Sequence, residues 1–186
     1  MATRIWTIGH STLPIEAFVA RLETHGVELV ADVRRFPGSR RQPQFETTAL
    51  AAALATRGVE YRWLPALGGR RRSAAGSSNL GWRHAAFRAY AEHVESEEFA
   101  SGLAELLALA GGLRTAIMCA EVLWWRCHRR LIADVLVSLG WDVLHIRDER
   151  TADAHRLAPP ARLVDGGLTY ETAEATLLHP VEGSQP

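Results

Sequence analysis

Two cysteines, a glutamate and a histidine lie close together in the second half of the chain, and these residue types are suited to covalent chemistry. Cys119 or Cys127 is expected to act as a thiolate nucleophile, with His128 or His10 as base and Glu121 as acid, base or orienting group. The competing interpretation is that a cysteine on an apolar strand is a small buried hydrophobic residue. Both interpretations stay open for Cys119, whereas the position of Cys127 favours chemistry.

Hydrophobic patterning predicts a strand, a loop and a helix around these residues. The apolar run at 115–119 is typical of a buried strand, and apolar residues follow at helical spacing as far as Leu139. Cys119 then ends the strand, and Cys127 and His128 enter the first turn of the helix. Free N–H groups and the dipole of a helix N-terminus, together with neighbouring arginines, lower the pKa of a thiol. The pattern therefore predicts an available thiolate.

Short apolar runs alternate with helical patterns along the rest of the chain. Strands are predicted at 5–8, 28–33, 59–64, 115–119 and 142–146, and helices at 14–26, 48–57, 84–94, 97–110 and 127–139. This alternation predicts one α/β domain with a mostly parallel sheet of about five strands and helices on both faces. We expect residues 1–150 to form the core. Residues 151–186 are expected to form a C-terminal extension that packs on the core, with a small hairpin at 163–170 and a frayed end.

The other polar motifs fall at the ends of these predicted strands. Ligands of parallel α/β folds bind outside the carboxyl ends of the strands, so the residues there are expected to form one pocket. Arginine suits phosphate and carboxylate groups, and therefore the expected ligand is a small anion, with phosphate- or nucleotide-containing molecules as candidates. The candidate ligand-binding residues are Ser11, Asp32, Arg34, Gly68, Gly69, Trp125 and Arg129.

Two further interpretations compete with a cysteine enzyme. Cys119, Cys127, His128 and His10 are zinc or iron ligand types, although seven residues between the cysteines is wider than usual zinc spacing. Apart from such a zinc or iron ion, no cofactor is predicted. Clustered arginines at 70–72 and several tryptophans instead suggest a nucleic-acid or nucleotide binding module without catalysis.

Composition limits the remaining function classes. The formal net charge is zero, which argues against nonspecific coating of nucleic acid, and all 21 basic residues are arginine. No apolar run approaches the ~20 residues of a membrane helix and no secretion signal is evident, so the expected compartment is the cytoplasm, with reduced cysteines and no membrane partner. No Walker loop, dinucleotide-binding glycine motif or Gly-x-Ser-x-Gly elbow is present. The oligomeric state is left open.

Several blocks resemble one known family in the order in which they occur. They are Thr7-Ile-Gly-His-Ser, Asp32-Val-Arg, Leu67-Gly-Gly, Phe87-Arg-Ala-Tyr-Ala, Cys119-Ala-Glu, Cys127-His-Arg and His155-Arg-Leu. With them the chain resembles the bacterial family known as domain of unknown function 488. That family name carries no established reaction, so the resemblance supports the positions of these residues and leaves their roles open.

Overall fold

Helices alternate with the strands of a mixed sheet through the residues that the computed structural model describes, which are 3–38, 40–72 and 76–172. The helices are α1 (Ile15–Thr24), α2 (Thr47–Ala55), α3 (Ala85–Val94), α4 (Glu97–Gly112) and α5 (Arg129–Ser138). The strands are β1 (Arg4–Gly9), β2 (Leu29–Asp32), β3 (Glu60–Trp63), β4 (Thr115–Cys119), β5 (Asp142–Ile146), β6 (Ala152–Ala154), β7 (Arg162–Val164) and β8 (Gly167–Thr169). The predicted α/β fold is confirmed.

The main sheet has the strand order β3-β2-β4-β1-β5-β6, and its first five strands are parallel. The carboxyl ends of these strands therefore meet at one edge, as parallel pairing requires. In the register of the sheet, Gly9 of β1 pairs with Cys119 of β4, and Asp32 of β2 pairs with Met118. This register places the residues that follow β1 and β2 beside the end of β4.

The sheet has six strands in place of the expected five or so. The additional strand is β6, which pairs antiparallel with β5 after a tight turn. In that turn the Asp148 carboxylate accepts hydrogen bonds from the backbone N–H groups of Arg150 and Thr151, both at 2.8 Å. A three-residue edge strand has too little hydrophobic pattern to be predicted, because its pairing is set by the neighbouring strand and by the turn.

Alternating residues of the strands enter two separate cores. Ile117 and Cys119 pack under α3, α4 and α5 on one face, whereas Ala116 and Met118 pack under α1 and α2 on the other. Helices therefore cover both faces, and the central strands are apolar on both sides as expected for a buried parallel sheet. None of the described helices is long and apolar enough to cross a bilayer.

The segment after β5 contacts the rest of the molecule. Besides β6, it contains the predicted hairpin, formed by β7 and β8. Tyr170 follows this hairpin and is 3% exposed, with its hydroxyl donating to Asp134 of α5. The expected frayed end falls on residues 173–186, which lie outside the described residues.

Candidate active site

Cys119 and Cys127 come together where β4 ends and α5 begins. Their sulfur atoms are 2.8 Å apart, both thiols are free, and the residues are 2% and 6% exposed. The loop that follows β4 passes directly against the end of β1. Only glycine at position 9 allows this contact, because a Cβ there would lie 2.0 Å from the carbonyl oxygen of Glu121. The two cysteines of the sequence therefore form one buried pair at the expected edge of the sheet.

The environment separates the two thiols electrostatically. Burial raises the pKa of Cys119, and its hydrogen bond to Cys127 raises it further, so this thiol keeps its proton. Burial also acts to raise the pKa of Cys127, but the hydrogen bond from Cys119 and the charge and hydrogen bonding of Arg129 outweigh it and lower the pKa to about 6. Of the two sulfurs, Cys127 is therefore the one that these contacts favour as the thiolate, with Cys119 as the S–H donor.

The start of α5 lies two residues later than the sequence predicts. Cys127 is extended, with φ −125° and ψ 153°, because a short 3-10 turn at Trp124–Arg126 ends just before it. His128 is the N-cap residue, its side chain does not cap the helix, and the helix itself begins at Arg129. The Cys127 sulfur accepts a hydrogen bond from the backbone N–H of Arg129, the first residue of the helix, where an anion is favoured.

His128 presents a bare ring nitrogen to Cys127. Its Nε2 is 3.0 Å from the carbonyl oxygen of Val33 and therefore carries the hydrogen, since a carbonyl only accepts. Its Nδ1 then lacks a hydrogen and lies 3.4 Å from the Cys127 sulfur. Burial lowers the pKa of this imidazole, which keeps it neutral. The ring packs so closely on Gly69 that a Cβ there would lie 2.9 Å from Nδ1.

Asp32 and Arg34 form a buried ion pair beside this centre. Nε of Arg34 is 2.9 Å and 3.0 Å from the two carboxylate oxygens of Asp32, and Nη2 is 2.5 Å from one of them. The Tyr61 hydroxyl donates to the same carboxylate at 2.7 Å. The Asp32 carboxylate is fully buried and used in these contacts, so it fixes the direction of the Arg34 guanidinium.

His10 is held by contacts at both ring nitrogens. Its Nδ1 donates to the carbonyl oxygen of Ser11 at 2.9 Å, and its Nε2 accepts from Nη1 of Arg34 at 3.2 Å. Burial and the positive charge of Arg34 lower its pKa to about 4, and the ring stacks on Phe45 with centroids 4.1 Å apart. His10 is thus a neutral imidazole that receives a hydrogen bond from Arg34.

A cavity of about 700 Å³ opens next to the cysteine pair. This volume is within the range of small-molecule sites, roughly 300–1,000 Å³. Four arginines and one carboxylate line it, and in the part of the chain that the structure describes three of the arginines make no side-chain hydrogen bond or ion pair. The lining arginines are Arg34, Arg35, Arg70 and Arg126, and the carboxylate is Glu121. The excess of unpaired positive charge favours an anionic ligand.

The cavity gathers part of the predicted set. Seven of the predicted residues line it and five lie outside its lining. Those that line it are Ser11, Arg34, Gly69, Cys119, Glu121, Cys127 and His128, and those that do not are His10, Asp32, Gly68, Trp125 and Arg129. Trp125 is 44% exposed, whereas Arg129 is 1% exposed and lies beneath the cysteines. Gly68 allows close packing, because a Cβ there would lie 2.8 Å from the Cα of Arg35.

The two alternative interpretations are affected differently. Among the described residues, no group of three or more histidine, cysteine, aspartate and glutamate side chains is placed to hold a metal ion, so the metal interpretation has no ligand set there. The arginine run at 70–72 is divided in its roles: Arg70 lines the cavity, whereas Arg71 pairs with Glu98 at 2.6 Å and donates to the Gly68 carbonyl oxygen at 3.1 Å. Binding of nucleic acid stays a prediction.

Sequence patterning missed several residues around the site. Tyr90 of α3 lines the cavity and contacts His128, with ring centroids 5.1 Å apart. His93 is 6% exposed and its Nε2 lies 2.7 Å from the Ala66 carbonyl oxygen. Tyr90 and His93 are spaced i, i+3, which puts both on the inner face of α3. This spacing is the sequence signal from which their burial could have been predicted.

Fold and site together define an α/β protein with a thiol pair and an arginine-lined cavity at the carboxyl edge of its sheet. The family model described as Domain of unknown function DUF488 matches residues 14–136, which is well over half of the chain. The chain belongs to this family, and the resemblance seen in the sequence is confirmed. No curated protein and no solved structure matches the chain.

Proposed function

We propose that this protein is an enzyme in which the Cys127 thiolate attacks an electrophilic centre of a small anionic substrate. The observation that carries the proposal is the sulfur pair: the Cys119 and Cys127 sulfurs are 2.8 Å apart, so a proton kept by Cys119 stabilises a negative charge on Cys127. A thiolate in an accessible cavity at a helix N-terminus is the usual arrangement of a nucleophilic cysteine. Phosphate- or nucleotide-containing molecules are the substrate class that the lining arginines favour.

The proposed step balances without a redox partner. The Cys127 sulfur forms a bond to the substrate, and the leaving group departs with the electron pair of the broken bond and takes a proton from solvent. His128, whose Nδ1 is bare and faces this sulfur, then removes a proton from the water that cleaves the intermediate and releases that proton to solvent. The sulfur leaves with its electron pair, which restores the thiolate.

The remaining residues are assigned to binding and positioning. We assign Arg35, Arg70 and Arg126 to binding of the anionic group. Arg34 is assigned to the same role, with its guanidinium oriented by the ion pair with Asp32. Ser11 and Glu121 also line the cavity and are assigned to substrate contact. His10 receives a hydrogen bond from Arg34 at the ring nitrogen that a base would use, so its proposed role is to position that arginine.

Two measurements on one preparation test the proposal. Mass-resolved alkylation with iodoacetamide against pH is expected to show Cys127 reacting with an apparent pKa near 6 and Cys119 unreactive. Inorganic pyrophosphate and adenosine monophosphate are expected to slow alkylation of Cys127, and Arg126→Ala to weaken this protection. Arg57→Ala is the matched control, because Arg57 pairs with Glu23 and is not part of the cavity lining.

The outcomes separate the two functions that stay open. An apparent pKa for Cys127 at or above the ~8.5 of a free thiol would overturn the thiol enzyme. Protection by the anions in that case would favour a nucleotide or nucleic-acid binding module. A low pKa without any protection would overturn the anionic substrate class and retain the nucleophile.

A further inference from the structure

A continuous chain of buried side chains leads away from the cysteine pair into the second half of the fold. Arg129 donates from Nη1 to the Thr7 hydroxyl at 3.2 Å, and this hydroxyl is 2.7 Å from Nδ1 of His145. Nε2 of His145 lies 3.0 Å from Nδ1 of His155, and Nε2 of His155 lies 2.8 Å from the Asp134 carboxylate. The five residues are between 0% and 7% exposed.

The two ends of this hydrogen-bonded series determine which way its hydrogen bonds run. A guanidinium only donates and a carboxylate only accepts. All the hydrogen bonds form with one hydrogen on each imidazole if Thr7 donates to His145, His145 donates to His155, and His155 donates to Asp134. Burial, followed by the effect of His155, lowers the pKa of His145 to about 2, so that ring is neutral as this pattern requires.

Two aromatic residues hold this series of hydrogen-bonded side chains in place. The Tyr170 hydroxyl donates to the second oxygen of Asp134 at 3.2 Å, and burial raises the pKa of this phenol, which keeps it protonated. Trp124 stacks on His145 with ring centroids 4.0 Å apart and begins the 3-10 turn that leads to Cys127. The chain of hydrogen bonds is therefore packed against the same loop that carries the nucleophile.

Arg129 connects this chain to the cysteines. Its Nη2 donates to the carbonyl oxygens of Glu121 and Val122, in the loop between the two cysteines. Among the atoms of the described residues, its Nε has no hydrogen-bond partner. The guanidinium is 1% exposed and its charge acts on Cys127. Its orientation therefore depends on Thr7, on the two carbonyl groups and on its hydrogen bonds with the two cysteines.

We propose that Thr7, His145, His155 and Asp134 are positioning residues, forming a relay that holds the Arg129 guanidinium against the Cys127 sulfur. The inference deepens the proposed function and rests on it. The relay links β1, β5 and the segment after β6 to the first turn of α5. These parts of the chain, which include His145 and His155 beyond the family match at 14–136, thereby contribute to the reactivity of Cys127.

Thr7→Val tests the relay at the residue next to Arg129. Valine has nearly the shape of threonine and suits a buried strand, but it lacks the hydroxyl that accepts from Nη1. The apparent pKa of Cys127 in iodoacetamide alkylation is expected to rise by about one unit, which is about a tenfold loss of rate well below the pKa. Thr7→Ser retains the hydroxyl and is expected to react like the unchanged protein.

Asp134→Asn is the second variant and tests the far end. It removes the charge towards which every donor points, and a smaller rise in the same apparent pKa is expected. Neither variant substitutes a titratable or charged group that surrounds the Cys127 sulfur. These groups are Cys119 of β4, Tyr90 of α3, Arg126 and Glu121 of the loop, and His128 and Arg129.

The result distinguishes this inference from the proposed function. If Cys127 of the unchanged protein titrates like a free thiol, the proposed function fails. If it titrates near 6 and both folded variants do so too, the relay alone is refuted. A rise in Thr7→Val that Thr7→Ser does not show supports the relay, because a loss of packing alone would not follow the hydroxyl.

Discussion

Replacement of Cys119 by alanine should separate the two thiols into their roles. Cys119 is buried at the end of β4 and its sulfur is 2.8 Å from that of Cys127. Alanine removes the S–H donor while it keeps a small apolar side chain in the strand. We expect the apparent pKa of Cys127 to rise, because burial then opposes ionisation with one stabilising contact fewer.

The size of this change follows from the strength of one hydrogen bond. A hydrogen bond to a charged group contributes about 1.5–3 kcal/mol to stability. Since one pKa unit corresponds to about 1.4 kcal/mol, its loss raises the pKa by roughly one to two units. Starting from about 6, Cys127 of Cys119→Ala is therefore expected to titrate between about 7 and 8.

The assay is the rate of iodoacetamide alkylation of Cys127 against pH, resolved by mass, with circular dichroism as the check on folding. Cys119→Ser is the matched control, because its hydroxyl donates to a thiolate as a thiol does and should keep the pKa close to 6. An unchanged pKa in folded Cys119→Ala would refute the argument. It would mean that Arg129 and the helix N-terminus suffice to ionise Cys127 without its neighbour.

Two further predictions concern stability and the site. Cys127 has a pKa lowered to about 6 in the folded protein, so its ionisation stabilises the fold fully above the ~8.5 of an unfolded thiol, and this contribution is lost as the pH falls through about 6. Between about pH 6 and ~8.5, the free energy of unfolding of the unchanged protein should rise relative to that of Cys127→Ala by up to about 1.4 kcal/mol per pH unit. If the free energies of unfolding of the two proteins have the same pH dependence, Cys127 is not a thiolate in the folded state. Gly69→Ala places a Cβ 2.9 Å from Nδ1 of His128 and should displace that ring, so the pH profile of Cys127 alkylation changes. Gly38→Ala is the control, because a Cβ there meets open space and no positive φ adds strain. Identical profiles in Gly69→Ala and the unchanged protein would show that His128 does not influence the sulfur.

The fold was predictable because its signals are local and strong. Each predicted strand and helix of the first 150 residues is present, with ends that differ by at most two residues. Gly26 and Gly58 have positive φ of 65° and 69° just after α1 and α2, which is why glycine marks the ends of these helices so clearly. The edge strand β6 has no such signal and was missed.

The site was predictable to the extent that parallel topology determines it. A parallel sheet brings the ends of β1, β2 and β4 to one edge, so Ser11, Arg34 and Cys119 were expected to meet and they share one cavity. Arg147 and Asp148, which end β5 in the same way, do not line that cavity. Arg147 pairs with Asp153 of β6 at 3.2 Å, so the local turn takes the residues that topology alone would assign to the site.

The buried relay could not be predicted from spacing. His145 lies on β5 and His155 just after β6, ten residues apart, and only the antiparallel pairing of these strands brings Nε2 of His145 to 3.0 Å from Nδ1 of His155. Asp134 is one polar residue among apolar neighbours on α5. By itself this pattern indicates only that the apolar face of the helix is interrupted there. Its role becomes evident only when the strands beneath the helix are known.

The sequence leaves two interpretations open for Cys127, a nucleophile and a packing residue. They correspond to two states of the same buried sulfur, the thiolate and the protonated thiol. A thiol that is 6% exposed would stay protonated on account of burial alone. Its ionisation requires compensation from different elements: the S–H of Cys119 on β4, the N–H groups at the start of α5, and the Arg129 charge that Thr7 of β1 orients. A change that uncouples these elements should therefore convert Cys127 from the first state to the second without moving it, and the pH dependence of its alkylation is the measurement that detects this conversion.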